Sequence, residues 1–184
     1  MRWQIDVTET LLHGRVLYKV TVVDDHSNIR LVSHLCLEAS GATISRVLEE
    51  AIRRYWAPLE LLSDNGVQFR GRKGGVTVEV CGLCRRYGVR QIFTSPNHPQ
   101  TIGKAEHAYR DDKMEFFDLV AFNSVGEGHW KLDLFDVWQN GCPNRGLDSI
   151  APAAGYGRPI SHRACVEAFY LLYLGRAPPG GLSA

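Results

Sequence analysis

The sequence predicts an α/β fold built on a five-stranded mixed sheet, three antiparallel strands followed by two parallel ones, flanked by helices. Three observations carry that expectation. The first 37 residues hold three segments of strand character joined by short polar turns. Apolar residues then recur at helical spacing for about three turns. After that, two short apolar runs alternate with further helical stretches, the order in which parallel strands are joined by crossovers.

The elements follow in order. Trp3 to Thr8 alternates in polarity and ends near Thr10, and His13-Gly14-Arg15 marks a turn before the β-branched run from Val16 to Val23. The polar turn Asp24-Asp25-His26-Ser27-Asn28 leads into a third strand, Arg30 to Leu37. Successive strands with short turns make an antiparallel meander. Ile44, Val47, Leu48, Ala51, Ile52 and Tyr55 share one helical face, with Ser40 and Thr43 available as caps. Pro58 closes this region, and Leu59 to Ser63 reads as a buried strand that breaks at Asp64-Asn65-Gly66. A second helix is expected from about Val76 to Tyr87, closed by Gly88, and Val89 to Phe93 returns to strand. Beyond Ser95-Pro96-Asn97-His98-Pro99 a long helix is expected from near Gln100 to about Val120, then a helix around Trp130 to Gln139 and a short one at Val166 to Leu174. Residues 1–160 are expected to form the main domain and 161–184 a C-terminal extension with a short helix and tail.

Composition excludes several classes. With 45% apolar and 22% charged residues the 184-residue chain can bury one good core, and it contains no run of 18 apolar residues that could span a membrane. The start, MRWQIDVTET, lacks the pattern of a signal peptide, so a cytoplasmic location is expected. Five scattered cysteines are expected to stay reduced, and Cys81 and Cys84, though spaced like half a zinc knuckle, lack a second ligand pair. The net charge is only +1, but between Val67 and Lys113 nine basic residues face four acids. Such clustering, rather than net charge, is what phosphate binding requires.

Three acids fall on special backbone: Asp6 inside the first strand, Asp64 at the end of the fourth, and Glu106 early in the long helix. Carboxylates are uncommon in strands. A first strand lying beside a fourth would bring Asp6 and Asp64 together. Converging carboxylates call for a cation, and oxygen donors favour magnesium or manganese. Spacing alone leaves three unrelated surface acids an equal alternative.

The surrounding words add a resemblance. Trp3-Gln4-Ile5-Asp6-Val7-Thr8, Val23-Asp24-Asp25-His26-Ser27, Leu62-Ser63-Asp64-Asn65-Gly66-Val67-Gln68-Phe69 and the stretch Ser95-Pro96-Asn97-His98-Pro99-Gln100-Thr101-Ile102-Gly103-Lys104-Ala105-Glu106 together resemble the retroviral-integrase-like core of bacterial insertion-sequence transposases. A weaker match runs from Asn140 through Pro143-Asn144 to Ala151-Pro152-Ala153 and Tyr156. The resemblance covers nearly the whole chain. It implies an RNase H-like fold and phosphoryl transfer with two magnesium or manganese ions held by Asp6, Asp64 and Glu106. Water and then a DNA 3′ hydroxyl would attack phosphodiesters in DNA integration.

The resemblance also implies that DNA, as element ends and target, is the partner, and that the protein acts as a homodimer or higher oligomer. Arg110 and Lys113 follow Glu106 by four and seven positions, on its helical face, where cations would meet phosphates. Asn65, Gln100 and Lys104 are further expected DNA contacts. The sequence departs from the family pattern at Ile102, at His107 and in Asp111-Asp112, which is expected to add negative charge near DNA, and 41 residues separate Asp64 from Glu106. Similar full-length transposases carry a helix-turn-helix region upstream; this chain is expected to be a catalytic core without one. Two other readings stay open: a catalytically silent DNA-binding or dimerisation module, and an RNase H-type nuclease acting on RNA–DNA hybrids.

Overall fold

The computed structural model describes residues 1–70, 78–94, 112–143 and 147–179. They fall into two compact units, Met1–His26 with Leu31–Asp111, and Ser27–Arg30 with Asp112–Ala184.

In the first unit, β1 (Arg2–Leu12) and β2 (Arg15–Asp24) form a long antiparallel hairpin, with Trp3 opposite Asp24 and Leu12 opposite Arg15. Its two-residue turn places both His13 (φ 48°) and Gly14 (φ 78°) in left-handed backbone. Two positive φ values in a row define the type I′ turn, whose twist matches that of the strands it joins. β3 (Arg30–Cys36) follows, and β4 (Glu60–Ser63) and β5 (Arg90–Phe93) complete a sheet of order β3-β2-β1-β4-β5. β4 runs parallel to β1 and β5 parallel to β4. The expected mixed sheet, three antiparallel strands then two parallel, is therefore present.

Helix α1 (Gly41–Tyr55) is capped by Ser40, whose hydroxyl accepts from Thr43 N–H. Ile44, Val47, Leu48, Ala51 and Ile52 are buried, which is the apolar stripe read from the sequence apart from half-buried Tyr55. They contribute to the core of this unit with Trp3, Ile5, Val20, Val22, Leu61 and Leu62, each at most 5% exposed. Burial of side chains of this size contributes about 1.5–3 kcal/mol apiece. α1 ends at Trp56, not Gly, although its φ is 70° and ψ 156°, and its indole is 79% exposed. A four-residue helix α2 (Val67–Arg70) follows β4, and α3 (Val78–Arg86) ends before Gly88, which takes φ 68°.

The second unit begins with a π-helical turn, Asp112–Phe117, where an uninterrupted α-helix to Val120 is expected; residues 100–111 of that expected helix lie outside the described residues. α4 (Val125–Gly141), capped by Ser124, and α6 (His162–Leu174), capped by Ser161, both extend further than their sequence patterns indicate. The short α5 (Pro152–Gly155) starts on Pro152, a residue suited to a helix's first turn. α4 and α6 meet through rings, with Trp138 5.8 Å from Phe169 and 5.5 Å from Tyr173 between centroids. Phe135, with its ring centroid 6.0 Å from that of Trp138, extends the cluster to Phe116 and Phe122.

A polar knot sits within this apolar unit. The Arg30 guanidinium pairs with Asp112, lies 3.7 Å from Asp136 and rests 5.0 Å from the Phe135 ring centroid. The Asn140 side chain accepts from Arg30 N–H and donates to Arg30 C=O, each at 2.8 Å, so it serves that residue as a strand neighbour would. Asp112 is 4% exposed. The expectation of a surface negative charge at this position is thereby corrected: the carboxylate points inward to an arginine 82 residues away in sequence. No helix among the described residues is long and apolar enough to cross a membrane.

Candidate active site

The site is set by strand register. β1 and β4 pair Arg2 with Glu60, Trp3 with Leu61 and Gln4 with Leu62. The pairing ends at that rung; carried two residues further, the same register would set Asp6 level with Asp64, one residue past the end of β4. Adjacent strands run about 4.8 Å apart, and partners across a rung project from the same face. Trp3 and Ile5, buried on the opposite face, fix the direction in which Asp6 emerges, because side chains alternate along a strand. Asp6 is half-buried and Asp64 exposed.

The backbone beyond β4 is organised around Asp64. Its Oδ1 accepts from Gly66 N–H at 2.8 Å, the turn that an Asp side chain forms with the backbone two residues on. The Asn65 side-chain amide donates to Thr94 C=O at 2.5 Å, and Thr94 N–H donates to Ser63 C=O at 3.0 Å. The ends of β4 and β5 are thus laced together beneath the acid. Phe69 and Arg70 N–H groups both donate to Gly66 C=O, starting α2, and fully buried Phe69 anchors it. The Arg70 guanidinium lies 4.3 Å from the Phe93 ring centroid, so this cation stacks on the end of β5.

Of the residues expected at the site, Asp6 lies within β1, and Asp64 and Asn65 directly follow β4. Gln100, Lys104, Glu106 and Arg110, and the histidines at 98 and 107, lie outside the described residues. Lys113 is exposed on the π-helical turn of the second unit. Several basic residues of the 67–113 stretch are occupied locally. Arg90 pairs with Glu60, which also takes Arg2 at 2.7 Å, and these hydrogen bonds, Arg90's first, hold the Glu60 carboxyl below its usual range. Arg86 lies 4.0 Å from Glu49.

One residue of this sheet face carries no motif signal. Lys19, in β2 opposite Thr8, shares the face of Asp6 and is only 1% exposed. Its position within an apolar run was the single available hint. Among the described residues no three His, Cys, Asp or Glu side chains gather as a metal-binding group. Asp6 and Asp64 supply two carboxylates at one end of the sheet, and oxygen-only donors of this kind suit a hard divalent cation.

A five-stranded mixed sheet of order β3-β2-β1-β4-β5, with one acid inside β1 and another just past the parallel β4, has the architecture of an RNase H-like core. The chain belongs to the integrase core domain family, whose model matches residues 1–99. Among curated proteins it is 31% identical over 108 residues to the intracisternal A-particle Pol-related polyprotein of mouse intracisternal A-particle MIA14, covering 59% of this chain but 12% of that protein's length. Among solved structures it matches the HTLV-2 integrase catalytic core domain in complex with magnesium, in trimeric form, with a TM-score of 0.63 at 16% identity, over 84% of this chain and 95% of that one. The catalytic core domain of BIV integrase matches with a TM-score of 0.61 at 23% identity, over 84% and 92% of the two chains. The chain has the fold of an integrase/transposase-type catalytic core.

Proposed function

We propose that this chain is a polynucleotidyl transferase that hydrolyses a phosphodiester and joins DNA strands, with Asp6, Asp64 and Glu106 as the acids that hold two magnesium or manganese ions. The observation that supports the reading is the parallel β1–β4 register, Arg2 with Glu60 through Gln4 with Leu62, which, if continued, brings Asp6 and Asp64 level. Two neighbouring carboxylates repel, and a shared cation turns that repulsion into binding. When bound, divalent ions activate the attacking oxygen and stabilise the leaving one in an in-line displacement.

The chain's own groups do the positioning. The Gly66 N–H fixes one oxygen of Asp64, and the Asn65 bridge to Thr94 holds the turn against β5. Buried Trp3 and Ile5 keep Asp6 from rotating off its face. Lys104, Arg110, Lys113, Gln100 and Asn65 are proposed as contacts to the DNA flanking the scissile phosphate, where cations position the backbone. The match to a trimeric, magnesium-bound integrase core supports magnesium as the metal and assembly of several copies as the working form.

The test is cleavage and strand joining on duplex DNA with magnesium or manganese, beside an RNA–DNA hybrid. Asp6→Asn and Asp64→Asn should each abolish metal-dependent turnover of DNA while the protein stays folded. An Asp64→Asn variant that cleaves like its parent would remove the proposed site, and turnover of the hybrid alone would redirect the reading to an RNase H-type nuclease.

A further inference from the structure

We propose that Cys142 and Cys165 form a modification site, a thiol pair that peroxide converts into a reversible disulfide tying the end of α4 to the start of α6.

Packing of the two helices puts these residues side by side. The Trp138 and Phe169 ring centroids lie 5.8 Å apart where α4 meets α6. Further along α4, a methyl group in place of a Gly141 hydrogen would fall 2.0 Å from the Cys165 sulfur. Only glycine lets the sulfur come so close. As α4 advances from Trp138 to Gly141, its neighbour on α6 recedes from Phe169 to Cys165, so the helices run in opposite directions. Residues four apart share a helical face. Cys142 follows Trp138 by four and Cys165 precedes Phe169 by four, which sets the two cysteines level one turn beyond the ring contact.

The state of the thiols agrees with that placement. Both are free, Cys142 half-buried and Cys165 7% exposed. Burial first, then the neighbouring Cys165 and Glu115, pushes the Cys142 thiol up, so its sulfur lies within electrostatic reach of the other. Burial raises Cys165 as well.

The chemistry starts at the more open sulfur. Cys142 takes one oxygen from hydrogen peroxide as the O–O bond breaks, giving a sulfenic acid and one water. The Cys165 sulfur then attacks that sulfenic sulfur: the S–S bond forms, the S–O bond breaks, and the departing hydroxide leaves as a second water with the Cys165 proton. Two thiols lose two electrons to one peroxide. Because thiolate is the reacting form and both thiols are raised, the link forms slowly at neutral pH and faster as pH climbs. Once made, it closes the 22 intervening residues, α5 among them, into a loop.

The test is oxidation of the folded full chain with hydrogen peroxide at mildly alkaline pH, followed by blocking of the remaining thiols, digestion and peptide mass mapping. A linked pair of peptides carrying Cys142 and Cys165 is expected, about 2 Da lighter than the two free-thiol peptides together, and dithiothreitol should return both thiols. The linked chain should melt about 6–12 °C higher, the order for a loop of this length in a chain of this size, and dithiothreitol should reverse the rise. Cys142→Ser and Cys165→Ser should each lose both the link and the shift. Should neither variant fold, the peptide map and the reversible melting shift of the parent decide. A sulfinic acid on Cys142 beside an unlinked Cys165, a link confined to Cys81 and Cys84, a Cys142–Cys165 link that appears only in urea-unfolded chain, or an unchanged melting temperature in the linked protein would overturn the proposal.

Discussion

The Asn65 side-chain amide reaches the Thr94 carbonyl at 2.5 Å, so the turn that carries Asp64 is fastened to the end of a neighbouring strand rather than hanging from β4 alone. Asn65→Ala should lower stability by only about 0.5–1.5 kcal/mol, the net worth of one such hydrogen bond. On the proposed reading its effect on turnover should be larger, about tenfold or more, because a displaced acid loses alignment. Parallel urea titrations and DNA cleavage rates compare the two.

Arg30 joins two acids in the interior of the second unit, and its removal takes one positive charge away from both. Arg30→Met should destabilise the protein by about 3–5 kcal/mol, as breaking a buried pair from one side does. Replacing Asp112 and Asp136 by leucine in the same chain should recover most of the loss. Chemical denaturation of the three proteins gives the comparison.

Trp56 adopts φ 70° and ψ 156° at the end of α1 with its side chain 79% exposed. Backbone of that kind costs about 1–3 kcal/mol in a residue other than glycine. Little packing offsets it. Trp56→Gly should therefore raise the unfolding free energy, by about 1 kcal/mol after glycine's extra chain entropy is counted, and a rise in urea midpoint at constant slope would show it.

Burial raises the Cys84 thiol from 9.0 to about 11, aided by Cys81, and burial first and Glu115 next raise the Tyr173 hydroxyl from 10.0 to about 12. Both groups hold their protons more tightly folded than unfolded. Their contribution to stability is whole below pH 9 and 10 respectively, and is lost as pH climbs to about 11 and about 12. Tyr173 also donates to Glu115 C=O at 2.9 Å, a bond that ionisation ends. Urea midpoints between neutral pH and the onset of alkaline unfolding should fall steeply for the parent and less steeply for a Cys84→Ala, Tyr173→Phe variant. The same burial should keep Cys84 unreactive toward iodoacetamide at neutral pH.

What could be read in advance divides along one line, local against distant. α1 was legible because its stripe, its Ser40 cap and its length are all written within 16 residues. The strand order was legible from the β-branched and short apolar runs, and the two aspartates stand out because each sits in a distinctive word, Asp6 inside β1 and Asp64 just past β4. Asp112 was misread because its partner stands 82 positions earlier, and nothing around Asp112 announces an arginine. Asn140 bonds the Arg30 backbone across 110 positions, a role only the fold reveals. Lys19 carries no signal for a related reason: a lysine inside an apolar run reads as a solvent-facing strand position until the opposite rung is known.

The two-residue turn at His13-Gly14 has a bearing on which relatives of this chain can exist. Side chains alternate with a period of two, so an extra residue taken into the pairing, rather than into a longer turn, would rotate β2 by half a cycle relative to β1. Val20 and Val22 would leave the interior, and Lys19 would be carried to the face away from Asp6. The count of residues at this bend is therefore part of what sets the face each side chain of β2 takes.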